Sequence, residues 1–301
     1  MATLFSLLLL FSAFLGAQST FKVTNNCGYT IWPGILSNAG LAPLTTTGFQ
    51  LQPGETRVIE VPASWSGRLW ARTLCTSDPT SGKFSCATGD CGSGTVECGG
   101  GGAAPPVSLV EFTLNGGGNN DFYDVSLVDG YNIALVVFPQ GGSGPNCVPT
   151  GCIVELNGPC PEGLRVVTGG QTIACKSACE AFSDPRYCCS GAYGNPNTCG
   201  PTSYSLFFKN ACPRAYSYAY DDATSTFTCA SGTAQYLLSF CPNSSSLRSS
   251  GGNNPEAAGV PLINDTMIFS DGSQSTHYFP NCFFKIFFSV FLVLSWLTTH
   301  V

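Results

Sequence analysis

Sixteen of the seventeen cysteines in this 301-residue chain fall between Cys27 and Cys241. An even number at that density implies a covalent framework wherever the compartment is oxidising. The N-terminus argues for such a compartment. Residues 1–19 read MATLFSLLLLFSAFLGAQS, an apolar run followed by the small residues Ala17 and Ser19. That is the pattern of a cleaved secretory leader, too short to span a bilayer. The mature chain is expected to begin near Thr20 and to be secreted. Zinc is the rival use for these cysteines, because CATGDC and CKSAC look like metal knuckles. The two histidines, His277 and His300, both lie near the C-terminus, and exported thiols oxidise. The expectation is therefore eight disulfides and no metal. Sixteen cysteines admit about two million pairings, so spacing alone leaves the connectivity open.

The segments between the cysteines read as strands. FKVTNN, TIWPGIL, TGFQLQPGETRVIEVP, GRLWART, VSLVEFTLN, DFYDVSLVDGYN and IALVVFP alternate or run apolar over strand lengths, with Pro53-Gly54 marking a hairpin. No helical stripe of useful length interrupts them. This predicts an all-β fold, a β-sandwich or flattened barrel of about ten strands. From Cys147 to Cys199 the texture changes to crowded cysteines among Gly, Pro and Asn. Such a loop-rich lobe needs covalent staples to keep one shape. Its single helical candidate is GQTIACKSACEAF. After Gly200, SYSLFFKN, YSYAYDD, STFTC and AQYLLSF again read as strands, the last expected to return to the first sheet.

The folded domain is expected to span residues 20–242. Residues 243–270 form a Ser/Gly/Asn-rich stalk carrying two N-glycosylation sequons, at Asn243 and Asn264. Residues 271–301 hold a polar spacer and the apolar FFKIFFSVFLVLSWL. Small residues, spacer and hydrophobic tail together form the pattern of a glycosylphosphatidylinositol (GPI) attachment signal, with Ser270 or Asp271 as the attachment residue. The competing reading, a single spanning helix, wants about twenty apolar residues and a basic cytoplasmic flank. No Lys or Arg follows this segment.

Charge is sparse, at 10% of residues, with a net charge of −6 and no basic run. Nucleic acid is therefore a poor partner, and a hydroxyl-bearing or cationic one suits the balance better. Against that background Glu111, Asp121, Asp124 and Asp129 cluster within nineteen positions. The domain lacks histidine, which excludes the usual Ser-His-Asp and Cys-His sites and a His-ligated zinc. Carboxylates are left as the candidate acid and base.

GKFSCATGDCGSGTVEC, from Gly82 to Cys98, resembles the signature of the thaumatin-like family. NNCGYTIWPG, DFYDVSLVDGYN, CCSGAYGNPNTCGPTSYS and CPRAYSYAYDDATSTFTC extend the resemblance over about residues 20–242. It implies a β-sandwich core, a disulfide-rich loop lobe and an acidic cleft between them. The implied pairing is Cys27–Cys241, Cys75–Cys86, Cys91–Cys98, Cys147–Cys229, Cys152–Cys212, Cys160–Cys175, Cys179–Cys188 and Cys189–Cys199. The implied cleft residues are Arg68, Glu111, Asp124, Asp129 and Asp222, with Asp221 as the neighbour that competes with Asp222. Asp121 lies outside the family pattern. Strand parity puts Asp124 and Asp129 on opposite faces, so Asp129 joins the cleft only if the Asp129-Gly130 turn swings it round.

The function expected is that of a defence-type protein binding β-1,3-glucan or a related glycan, as a monomer without a cofactor. Tyr204, Phe207, Phe208 and Tyr218 are candidate stacking rings, with core packing the competing fate of Phe207 or Phe208. An endo-β-1,3-glucanase is the enzymatic alternative, with Glu111 as acid and Asp124 as base or nucleophile. A tethered surface component acting through a protein partner is the third reading.

Overall fold

The computed structural model describes residues 18–242. Residues 1–17 of the expected 1–19 leader, the sequons at Asn243 and Asn264, Ser270, Asp271 and the apolar tail lie outside the described residues, while Gln18 and Ser19 begin the first strand. Among those described, no helix is long and apolar enough to cross a membrane.

Two sheets pack face to face. The five-stranded sheet has the order β3 (Thr56–Pro62), β1 (Gln18–Asn25), β13 (Gln235–Phe240), β8 (Leu135–Gln140) and β9 (Thr150–Cys152). The last strand does return to the first sheet, running parallel beside β1 with Phe21 opposite Tyr236. The six-stranded sheet runs β12 (Phe227–Ala230), β7 (Asn120–Ser126), β6 (Leu109–Gly116), β4 (Ser66–Ser77) and β2 (Trp32–Ser37), with β5 (Phe84–Thr88) paired to β4. Alternation along these strands separates a core face from an outer face. FQLQ keeps the alternation, with Phe49 and Leu51 buried. Leu51 forms only an isolated bridge to Ile31, and the preceding Gly48 one to Gly34 of β2, rather than a ladder strand; the Pro53-Gly54 turn leads into β3 instead of closing a hairpin.

Rings from both sheets fill the centre. Phe21 stacks on Phe112 at 4.4 Å between centroids, Phe112 meets Tyr236 at 5.0 Å, and Tyr236 meets Tyr123 at 5.3 Å. A buried polar pair sits among them. The Tyr236 hydroxyl donates to Asp121 Oδ2 at 2.9 Å, and the Asn115 N–H donates to Asp121 Oδ1 at 2.9 Å. Asp121 therefore faces the core and ties one sheet to the other.

The lobe contains the ladder β10 (Arg165–Thr168) and β11 (Gln171–Cys175), then the helices α1 (Ala178–Phe182) and α2 (Pro185–Cys188). GQTIACKSACEAF thus divides into a strand and a helix, the helix starting where Ser177 caps the Glu180 N–H. Two expected strands are corrected. SYSLFFKN is a helix, α3 (Ser203–Ala211), and YSYAYDD is irregular backbone leading into α4 (Asp222–Ser225). Thr202 and Ser205 exchange hydrogen bonds in a capping box, and this outweighs the short polar–apolar alternation of residues 203–206. Phe207, Phe208 and Ala211 then share the buried face, so both Phe rings pack in the core. Eight disulfides join Cys27–Cys241, Cys75–Cys86, Cys91–Cys98, Cys147–Cys229, Cys152–Cys212, Cys160–Cys175, Cys179–Cys188 and Cys189–Cys199.

Tyr236→Phe strips Asp121 of one of its two donors inside the core and is expected to destabilise the fold by about 1–3 kcal/mol. Urea unfolding should show a lower midpoint at unchanged slope. Replacing both Cys27 and Cys241 by Ala opens a bridge spanning 214 residues and should remove up to about 5 kcal/mol on the chain-entropy account. Thermal unfolding under non-reducing conditions measures it, and an unchanged midpoint would refute that account for this bridge.

Candidate functional site

The outer face of the six-stranded sheet carries a row of charges set by register. Arg68 on β4 pairs with Glu111 on β6, and Glu111 pairs with Asp124 on β7. Neighbouring strands lie about 4.8 Å apart, so three successive strands place the three side chains in line. The adjacent residues Leu69, Phe112 and Tyr123 point the other way, into the core.

Asp129 reaches the same cleft by leaving the ladder. β7 ends at Ser126 and the chain turns, with the Gly130 N–H donating to the Leu127 carbonyl at 3.0 Å. Gly130 has φ +88°, and a Cβ there would sit 2.6 Å from the Cys175 carbonyl oxygen. Only glycine meets both demands. The turn brings Asp129 round to the side of Asp124, as strand parity required.

The facing wall comes from residues 216–219. The Tyr216 N–H donates to the Val125 carbonyl, and the Leu127 N–H donates to the Tyr216 carbonyl, both at 2.8 Å. Arg68, Leu109, Glu111, Asp124, Asp129 and Tyr216 then line a cleft of about 290 Å³, at the lower end of small-molecule sites. Asp222 is not among the lining residues but accepts the hydroxyl of Tyr216, which is, at 2.8 Å. Asp221 is turned away into an ion pair with Lys209 at 2.9 Å and accepts from the Ser217 N–H and hydroxyl. Between these neighbours, Asp222 is the one connected to the cleft.

The Gly82–Cys98 run supports the Arg68 end. Arg72 is fully buried and donates to the Trp32, Pro33 and Val96 carbonyls. Burial draws its pKa down to about 10. Glu97 accepts from the Thr47 and Gly48 N–H groups and from the Thr46 hydroxyl. The loop so held continues to Gly102, where a Cβ would lie 3.4 Å from the Arg68 guanidinium.

Burial dominates the electrostatics. The Glu111 carboxyl is pushed up by desolvation, pulled back by Arg68 and pushed up again by Asp129. Asp124 is pushed well above the ordinary carboxyl range by deeper desolvation, then by Glu111 and Asp222. Its Oδ1 is buried with no hydrogen-bond partner among the described residues. A strongly raised carboxyl beside one that Arg68 partly pulls back sets a better proton donor next to a better acceptor. Among the described residues no group of three or more His, Cys, Asp or Glu side chains is arranged to hold a metal.

Of the expected stacking rings, Phe207 and Phe208 are buried away from the cleft. Tyr204 packs against Phe182 and Tyr187. The ring that does line the cleft is Tyr216. Sequence reading missed it because the segment is neither strand nor helix, so no periodicity gives its facing.

Comparisons with known proteins agree with this architecture. The chain is 55% identical over 230 residues to Thaumatin-like protein 1 of Arabidopsis thaliana, covering 75% of this chain and 86% of that protein. It is 49% identical over 239 residues to a Prunus avium protein named glucan endo-1,3-beta-glucosidase, covering 79% and 96%. Against the PR5-like receptor kinase of Arabidopsis thaliana it is 53% identical over 227 residues, 74% of this chain and 34% of the kinase. The Thaumatin family matches residues 25–242, nearly the whole of the described structure, and the chain belongs to that family.

Proposed function

We propose that this protein is a secreted, defence-type monomer that binds β-1,3-glucan or a related glycan in the acidic cleft. In this reading a GPI anchor at Ser270 or Asp271 holds it on the outer face of the plasma membrane, and its stalk is glycosylated at Asn243 and Asn264. The observation that carries the binding reading is Asp124, whose buried Oδ1 has no hydrogen-bond partner among the described residues, in a cleft lined by Arg68, Glu111 and Asp129. Sugar hydroxyls both donate and accept, so a glycan satisfies all of these groups together. The likeness to a Prunus avium glucan endo-1,3-beta-glucosidase supports glucan as the class.

Hydrolysis is a second reading, favoured by the unequal environments of the two adjacent carboxyls. Burial reverses the roles expected from sequence. Asp124, the more strongly raised, suits the proton donor, and Glu111 beside Arg68 suits the ionised base or nucleophile. The likeness to part of a receptor kinase supports the remaining reading, a surface component with a protein partner.

Calorimetry of the purified protein with soluble β-1,3-glucan, alongside a reducing-end assay, separates these readings. Binding without turnover, weakened at least tenfold in Glu111→Gln, is expected of a lectin-like cleft. Turnover that Asp124→Asn abolishes while binding survives would establish the hydrolase. Glucan left unbound and uncut would leave the protein-partner reading. Asp124→Asn also tests the electrostatics. A carboxyl raised in the folded state opposes folding once pH exceeds its unfolded value, about 3.9. The variant should therefore be more stable than the parent at pH 7, by on the order of 1–2 kcal/mol. The gain should shrink toward pH 4, read from urea midpoints across that range.

A further inference from the structure

We propose that the cleft continues into a second carbohydrate subsite, where Tyr218 stacks on a sugar ring and the Tyr187 phenol hydrogen-bonds it, so that the ligand is a glucan chain of several units. This inference rests on the glycan reading above and extends it to ligand length. Its basis is a depression adjoining the cleft, lined by Val128, Ser177, Arg186, Tyr187, Ser217 and Tyr218 among others. Val128 lines both hollows, and the segment 216–219 serves both. Tyr216 and Ala219 face the cleft, whereas Ser217 and Tyr218 face the depression.

The depression itself encloses about 20 Å³, room for one water and far too little for a sugar ring. Its floor is also chemically committed. Ser177 caps a helix, Thr202 and Ser205 form the capping box, and Ser217 bonds Asp221. A ligand therefore lies across the rim, and the rim is where free groups remain. Tyr218 is half-buried and has no ring or hydrogen-bond partner among the described residues. The Tyr187 phenol likewise makes no hydrogen bond among them. Its ring is held in place by Phe182 and Tyr204 at 5.8 and 5.6 Å between centroids, and by the Arg186 guanidinium. A fixed ring with a free hydroxyl, next to a half-exposed free ring, presents the amphipathic surface that sugar faces and hydroxyls fit. A cleft of about 290 Å³ alone holds only part of an oligosaccharide, so the next units of a chain bound there would cross Val128 onto this rim.

The test is calorimetric affinity for β-1,3-linked glucose oligomers from two to six units, with the parent protein, Tyr218→Ala and Tyr187→Phe. The parent should bind the pentamer about tenfold more tightly than the dimer, equivalent to about 1.4 kcal/mol. Tyr218→Ala should bring the pentamer down to the dimer's affinity. Tyr187→Phe, which keeps the ring and loses the hydroxyl, should remove a several-fold part of the gain. Urea midpoints near the parent's show that the variants remain folded. A length gain that persists in Tyr218→Ala overturns the subsite, as does a parent that binds every length equally well. Equal losses for dimer and pentamer in Tyr218→Ala overturn it too, since Tyr218 then supports the first cleft. A parent that binds no oligomer overturns the glycan reading and this inference together.

Discussion

The register between β4, β6 and β7 is the constraint on which both core and cleft depend. Phe112 and Tyr123 lie opposite each other on one face, and Glu111 and Asp124 lie opposite each other on the other. A slip of one residue would put a carboxylate among the rings Phe21 and Tyr236 and turn a ring to the solvent. The aromatic centre therefore enforces the line of charges that it never touches. Asp121 adds a polar lock to the same strand, because its two hydrogen bonds are made only when β7 sits at this height against Asn115 and Tyr236.

The second wall rests on different forces. Residues 216–219 belong to no strand or helix, so their position comes from backbone bonds to Val125 and Leu127 and from the Lys209–Asp221 pair below them. Lys209 also donates to the Ala215 carbonyl and the Ser225 hydroxyl, which draws the segment onto α3. The Cys152–Cys212 bridge fixes the C-terminal end of that helix to β9. Covalent and ionic ties thus do for the wall what the ladder does for the floor. The result is a cleft of half-buried carboxyls, where desolvation first, and then the charges of Glu111 and Asp222, push the Asp124 carboxyl well above the ordinary range.

Much of this was legible in the chain. The alternating runs located most strands of the two sheets, though not β5 or β9, and the cysteine count with the expected leader implied eight bridges. Of the carboxylate cluster, Glu111, Asp124 and Asp129 share one cleft, whereas Asp121 is in the core. The errors have a common source. SYSLFFKN alternates over four residues and was expected as a strand, yet the Thr202/Ser205 capping box and the burial of Phe207, Phe208 and Ala211 on one side make it helical. Local alternation cannot weigh a cap against a ladder that has no partner strand available. The Asp129 turn was recognised as a condition, but whether Gly130 would satisfy it depended on Cys175 and Pro106 packing against that glycine.

By itself, then, the sequence determined the covalent framework's size, the all-β class and the residues able to do acid–base or sugar chemistry. These follow from composition and period, which are properties of short stretches. Tertiary structure alone decided which carboxyl is buried deepest and that Asp222 rather than Asp221 communicates with the cleft. It also decided that Tyr216 forms the wall while Tyr218 stands on an adjoining rim. Facing and desolvation depend on what packs against a residue from distant parts of the chain, and that information exists only once the sheets and the lobe are assembled.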